Sequence, residues 1–239
     1  MKVSVILPAA GLGTRMRAAA EATGTSRKQF MLLEGVPILI HTARKFVASA
    51  HVTEVVIALR AEDIPWVEEM IAHEKFHKPV RCVEGGETRQ ESVANALAAV
   101  GEDTDLVAVH DAVRPFVSQD IITEVILEAA HHGAAIVGVV PVDTVKQVHR
   151  HVVRGTLNRD RLVLAQTPQV FRTGLLRQAF AKAREDGFTG TDESSLVERL
   201  ETVEIRVVAG SDRNIKITRP SDMELAELFL SLEREKEAG

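Results

Sequence analysis

The chain has 239 residues, 45% of them hydrophobic and 26% charged, with a formal net charge of −5. That is enough apolar material for one large domain or two small ones, and the acidic balance excludes a general nucleic-acid surface, so any cationic site must be local. The single cysteine, Cys82, excludes an internal disulfide; no apolar run approaches a membrane span and no signal-peptide pattern opens the chain, so a cytoplasmic location is expected.

The first stretch, V-S-V-I-L-P-A-A-G-L-G-T-R-M at residues 3–16, organises the reading. Val3, Val5, Ile6 and Leu7 form a short β-branched apolar run, as in a buried strand, and Pro8 and Gly11 end it. The small residues Ala9, Ala10, Gly11 and Gly13 leave backbone N–H groups open to a phosphate, and Arg15 adds a cationic fork. Lys28 follows in R-K-Q-F, after a polar stretch at 17–27 that reads as a loop over the site. A P-loop is absent, and a dinucleotide fingerprint fails because Met16 stands where its third glycine belongs.

Further along, a helix is expected at 37–49, a strand at 54–59, a helix at 63–73 with Trp66 and Met70 on a core stripe, and a strand at 79–83. Cys82 falls in that strand as a small, unreactive core residue. Gly85-Gly86 follows, then a helix at 88–100 opened by a Thr88/Glu91 capping box. A strand at 106–109 ends in His110-Asp111. Ser118 caps a helix that Gly133 stops, and an apolar strand fills 134–140. The rhythm then breaks. Residues 144–148 and 152–157 alternate like a hairpin, either an arm onto a partner or a plain surface hairpin. Strand segments at 162–165 and 169–171, helices at 173–186 and 191–200, strands at 203–208 and 214–217, and a final helix capped by Ser221 and Glu224 complete the chain.

Strands alternating with helices predict an α/β fold with a mostly parallel sheet covered on both faces, and ligands beyond the carboxyl ends of its strands. The glycine loop, Gly86 and Asp111 all fall at such ends. Asp111 suits Mg²⁺, which takes oxygen ligands and keeps water and substrate phosphates; the bland reading is a loop cap. His110 reads as structural, because no further metal ligands match it. Arg114 follows in H-D-A-V-R-P, Arg159 sits after the hairpin, Thr167 lies in the polar turn T-P-Q, and Lys216 lies in N-I-K-I-T. With no serine elbow and no Cys–His pair, several cations, one carboxylate and a glycine loop suit transfer at phosphorus, which needs positioning and charge neutralisation.

Taken together, P-A-A-G-L-G-T-R-M, R-K-Q-F, G-G-E-T-R-Q-E-S-V, H-D-A-V-R-P, D-T-V-K, T-P-Q, T-D-E-S-S-L-V-E and N-I-K-I-T-R-P-S-D resemble the 2-C-methyl-D-erythritol 4-phosphate cytidylyltransferase family, across residues 3–232. The resemblance implies a single Rossmann-like nucleotidyltransferase domain over 1–239 and a homodimer formed through the β-arm at 142–160. It implies CTP, the alcohol phosphate and Mg²⁺ as reactants and cofactor. Arg15, Lys28, Arg159 and Lys216 would be catalytic, and Asp111 would serve the metal. Pro8, Ala9, Ala10, Gly11, Gly13, Gly86, Glu87 and Ser92 would join Arg15, Lys28 and Asp111 around the nucleotide. Arg114, Thr144, Thr167, Thr191 and Asp192, with Arg159 and Lys216, would line the acceptor side, Thr144 and Arg159 across the dimer. Arg27 replaces the family's usual proline, which implies a looser loop, and Arg213 stands where aspartate is common. The nearest rival resemblance is ribitol-5-phosphate cytidylyltransferase, which shares the glycine loop and an H-D-x-V-R-P segment; T-D-E-S-S-L-V-E favours the methylerythritol enzyme. A non-catalytic homologue is the other alternative.

Overall fold

A computed structural model describes residues 1–11 and 27–238. The glycine loop beyond Gly11, with Gly13, Arg15 and the loop expected at 17–27 as far as residue 26, lies outside the described residues. The elements are β1 (Val3–Pro8), β2 (Leu32–Leu33), β3 (Val36–Pro37), α1 (Ile38–Val47), β4 (Glu54–Leu59), α2 (Ile64–Glu74), β5 (Val80–Glu84), α3 (Arg89–Ala99), β6 (Leu106–Val109), α4 (Gln119–His132) and β7 (Ala134–Val139). They continue with β8 (Lys146–His149), β9 (Val152–Thr156), β10 (Leu164–Arg172), α5 (Thr173–Glu185), α6 (Glu193–Glu198), β11 (Arg206–Ala209) and α7 (Pro220–Ala238).

Seven strands form one sheet in the order β11-β7-β10-β6-β1-β4-β5. Every neighbouring pair is parallel except those of β10, which runs antiparallel to both β6 and β7. The period-two alternation of the strands explains the two cores. Val3, Val5 and Leu7 of β1 join Val55, Ile57 and Leu59 of β4 under α1, α2 and α4. Ile6, Val56, Ala58, Val107 and Val109 point the other way, under α3, α5 and α6. Both faces being covered, the strands can be apolar throughout, as β1, β4 and β6 are. Because β1, β4, β5 and β6 are parallel, Pro8, Leu59, Glu84 and Val109 end on one edge, and the loops behind them meet there.

A third, smaller core lies beside that edge. Met31, Leu33 and Ile38 meet Val113 and Phe116 from the loop after β6, Ile217, and Ala226, Met223 and Phe229 of α7. The Phe116 and Phe229 rings are edge to face at 5.5 Å.

Local signals mostly stand. Thr88 and Glu91 form both halves of the capping box on α3. The Ser118 hydroxyl caps α4, and Gly133, at φ +95°, closes it. The hairpin is real: β8 and β9 pair antiparallel across Arg150 and His151, both at positive φ, as a tight two-residue turn requires. Its valines face solvent, Val148 at 55%, Val152 at 52% and Val153 at 58% exposure. Cys82 is half-buried, and desolvation, with Glu68 nearby, pushes its thiol up to about 12, which agrees with the inert reading.

Four expectations need correcting. Trp66 is 45% exposed, with its ring edge to face against Phe30 at 5.0 Å, while Met70 does pack on the first core. Residues 214–217 form no strand; the segment is held instead by the polar network described below. The strand expected at 203–208 is confined to Arg206–Ala209. The last helix begins at Pro220, so Ser221 lies inside its first turn; Asp222 reaches back to accept from the backbone N–H groups of Thr218 and Arg219 (2.7 and 2.8 Å). Among the described residues no helix is long and apolar enough to cross a membrane.

Candidate active site

At the carboxyl edge of the sheet lies a cleft of about 210 Å³. Pro8, Ala9, Ala10, Gly11, Lys28, Gly86, Glu87, Ser92, Asp111 and Lys216, all expected at the site, line it. A second depression of about 570 Å³ continues from it over Ala10, Gly11, Gly86 and Glu87 toward Arg60 and Asn95.

The glycines here answer to space. A Cβ on Gly85 would lie 2.8 Å from the Ala10 Cβ, and one on Gly86 would lie 2.4 Å from the Glu91 Cβ. The Gly85-Gly86 turn after β5 is therefore pressed against the loop after β1 on one side and the first turn of α3 on the other, closer than a side chain would allow. The Gly86 N–H donates to the Ser92 hydroxyl (3.1 Å), so Ser92 shapes this turn. Lys28 opens a single helical turn, Lys28–Phe30. Buried Gln29 docks that turn: its side-chain amide donates to the carbonyls of Ala9 and Gly11 (2.7 and 3.1 Å). Arg27 pairs with Asp63 and, at 3.2 Å, with Glu62.

Asp111 is the centre of charge. Its side chain is 9% exposed and touches three cations: Lys216 Nζ at 2.9 Å, Arg114 Nε at 3.2 Å and Arg89 Nε at 3.3 Å. Burial alone would raise its pKa, but Lys216, Arg89 and Arg114 outweigh that and hold the carboxyl well below the usual range. It is ionised throughout the physiological range. His110 beside it is fully buried, and burial pushes its imidazole down to about 4. The neutral ring stands 4.7 Å from Phe46, and its Nε2 donates to the Arg114 carbonyl (3.0 Å), which makes it a structural prop, as expected.

The acceptor-side residues divide into two groups. Thr167 is buried, and its hydroxyl accepts from the Asp111 backbone N–H (3.0 Å). Asp192 caps α6 and also accepts from Gln169 (2.8 Å), while Thr191 is exposed. Thr144 and Arg159 stand exposed at the root of the arm, outside the cleft lining of their own chain; Arg159 Nη1 donates to the Val142 carbonyl (2.6 Å).

Sequence reasoning missed three residues. Arg89 links Asp111 to Glu193, its Nη1 and Nη2 donating to the two Glu193 oxygens at 2.7 and 3.0 Å. A basic residue in the first turn of a helix opposes the helix dipole, and that was the available signal. An acidic residue after a cap, like Glu193, is ordinary and carried none. Asn214 is fully buried. Its side-chain amide donates to Gln166 Oε1 and the Thr167 carbonyl (3.1 and 2.9 Å), and its backbone carbonyl accepts from Arg114 (2.7 Å). It ties the Lys216 segment to the strand end that holds Asp111.

Among the described residues no group of three or more His, Cys, Asp or Glu could hold a metal ion. The donor set in the cleft is Asp111, with exposed Glu87 at the rim. A single carboxylate suits Mg²⁺, which keeps waters and takes phosphate oxygens from a substrate, and does not suit an all-protein cage.

The chain matches, over residues 3–232, the family model described as IspD: 2-C-methyl-D-erythritol 4-phosphate cytidylyltransferase. It is 66% identical over 235 residues to the 2-C-methyl-D-erythritol 4-phosphate cytidylyltransferase of Solibacter usitatus, covering 96% of each chain. It is 51% identical to that of Acidobacterium capsulatum, covering 96% of this chain and 98% of the relative. The crystal structure of 4-diphosphocytidyl-2C-methyl-D-erythritol synthase from Anaerococcus prevotii superposes with a TM-score of 0.84 at 30% identity, over 96% of each chain. Sheet order, cleft and likeness together define a nucleotidyltransferase. Within that class, the chain belongs to the 2-C-methyl-D-erythritol 4-phosphate cytidylyltransferase family.

Replacing Asn214 with alanine leaves Gln166 and Thr167 acceptors buried and unpaired. The expected loss is about 1–3 kcal/mol of unfolding free energy in urea titrations. A loss below about 0.5 kcal/mol, the size of an ordinary surface change, would rule out this tethering role.

Proposed function

We propose that this protein transfers a cytidylyl group from CTP to 2-C-methyl-D-erythritol 4-phosphate and releases pyrophosphate. The supporting observation is the cleft itself: Asp111, ringed by Lys216, Arg89 and Arg114, faces Lys28 and the backbone of Ala9 to Gly11. The family match supports the identity of the two substrates.

An oxygen of the acceptor phosphate attacks the α-phosphorus of CTP, a new P–O bond forms, and the bond from the α-phosphorus to the β-bridging oxygen breaks. The electron pair leaves with pyrophosphate. No general base is required, because a phosphate monoester with a second pKa of about 6 is already a dianion at neutral pH. The residues' task is therefore to place two anions against each other and absorb the charge that builds. Lys28, with Arg15, neutralises the α-phosphate. Lys216 and Arg114 seat the acceptor phosphate, with Thr167, Thr191 and Asp192 beside it. The backbone of Pro8 to Gly11 and Gly13, with Gly86, Glu87 and Ser92, cradles the nucleotide. Asp111 would hold Mg²⁺ together with phosphate oxygens; the ion, when bound, withdraws charge from the triphosphate.

The same reading includes a homodimer through residues 142–160, supported by an arm whose Val142, Val148, Val152 and Val153 are each more than half exposed among the described residues. Thr144 and Arg159, which do not line their own cleft, would then serve the partner's. A cytoplasmic setting goes with it, supported by the single cysteine.

Three outcomes are expected. In a coupled pyrophosphate-release assay with CTP, methylerythritol phosphate supports turnover; turnover with ribitol 5-phosphate alone overturns the assignment. Lys28→Ala lowers kcat by about 10²–10³ with unchanged circular dichroism, as for loss of one transition-state donor; near-normal kcat removes Lys28 from the chemistry. Val148→Asp with Val153→Asp yields a monomer of low activity in sedimentation velocity, whereas an intact dimer would contradict assembly through the arm.

A further inference from the structure

Asp111 has more positive charge around it than one carboxylate can balance. Lys216, Arg114 and Arg89 all lie within 3.3 Å of it. Such a ring attracts triphosphate but opposes a divalent cation at the same carboxylate: a unit charge several Å away, partly shielded from water, changes binding by an order of magnitude. Two of the three are not fixed on Asp111. Lys216 is the most exposed of them, and Arg114 also gives Nη1 to the Asn214 carbonyl. Arg89 is fixed. Each of its three nitrogens gives a hydrogen bond, Nε to Asp111 and both terminal nitrogens to Glu193.

Glu193 is 1% exposed, far from any direct role at the cleft lining, and makes a two-point contact with one guanidinium. Each carboxylate oxygen accepts one guanidinium N–H, the fork-to-fork pattern of an ionised pair. A buried ion pair rarely gains stability over apolar packing, so its presence beside a charged site asks for another reason. We propose that Glu193 is a positioning residue that cancels the charge of Arg89 and so leaves the Asp111 carboxylate open to a divalent cation in the nucleotide complex. Arg89 then orients Asp111 through its Nε without repelling the metal. The inference rests on the proposed CTP reaction.

The test is calorimetric and needs no turnover. CTP is titrated into the full-length wild type, Glu193→Gln and Glu193→Asp, each in excess Mg²⁺ and in EDTA, without acceptor. The ratio of the two affinities measures the metal's contribution by linkage. Glu193→Gln keeps shape and loses charge, so the ratio falls about tenfold. Glu193→Asp keeps charge and loses reach, so the ratio stays within about threefold of wild type. A packing role predicts the reverse, because aspartate cannot span to both guanidinium nitrogens. An unchanged ratio in Glu193→Gln, an equal loss in both variants, or a wild-type affinity indifferent to metal overturns the inference alone. Wild type that binds no CTP in either buffer overturns the functional reading beneath it. Should Glu193→Gln fail to fold by circular dichroism, Glu193→Asp decides: a kept ratio upholds the charge role, and a lost one ends it.

Discussion

One buried carboxylate governs this end of the molecule. Asp111 is drawn out of water at the tip of a central strand, and burial of a charge is costly unless cations stand against it. The three that do come from distant parts of the chain: Arg89 from the start of α3, Arg114 from the loop after β6, and Lys216 from the segment before α7. The reverse dependence holds as well. Three cations gathered at a strand end repel one another, and Asp111 is the shared anion that lets them remain together.

That cluster requires its carriers to be fixed; the third core fixes those of Arg114 and Lys216, and the helix that begins at Arg89 packs in the second. The Lys216 segment is irregular, so no ladder of backbone bonds sets its height. Ile217 buries itself between Val113, Phe116 and α7, and Asn214 locks onto Gln166 and Thr167 from the other side. The turn that carries Lys28 is held by Gln29 on the glycine loop and leads into Met31 and Leu33 of the same small core. Cations from opposite ends of the sequence are thus referred to one packed unit, of which α7 is the outer wall.

How much of this could be read from residues alone follows from the range of the forces involved. Strand and helix periodicity depends on near neighbours, and the alternation of Val3, Val5 and Leu7 or the Thr88–Glu91 box was plain. The convergence of Gly86 and Asp111 followed from parallel topology, since strand ends on one edge must meet. Residues 214–217 misled because Asn214, Ile215, Lys216 and Ile217 alternate as a strand does. The alternation is real, but a polar network and a small core impose it, not a sheet. Trp66 misled because helical spacing cannot tell a core stripe from a rim that meets one ring, here Phe30. The Arg89–Glu193 pair was hidden because its partners are 104 positions apart, and a basic residue in a first helical turn, which Arg89 is, does not point to its partner.

The three cations also differ in how they are held, and the difference sorts fixed charge from movable charge. Arg89 and Arg114 each have a second acceptor, Glu193 for one and the Asn214 carbonyl for the other. The two-point contact with Glu193 sets the Arg89 fork in angle as well as place, whereas Arg114 shares its donors between Asp111 and Asn214. Lys216 has a compact ammonium on a flexible stem, 36% exposed, and among the described residues Asp111 is its one ion-pair partner. Water reaches the ammonium end of this pair, while the Asp111 end is buried. Of the three cations, Lys216 is therefore the one whose movement disturbs fewest contacts, and Arg89 is the one that Glu193 ties in place. In the reaction proposed above, a phosphate beside the cleft would compete with Asp111 for Lys216 first, and Arg89 would still hold the carboxylate through its Nε.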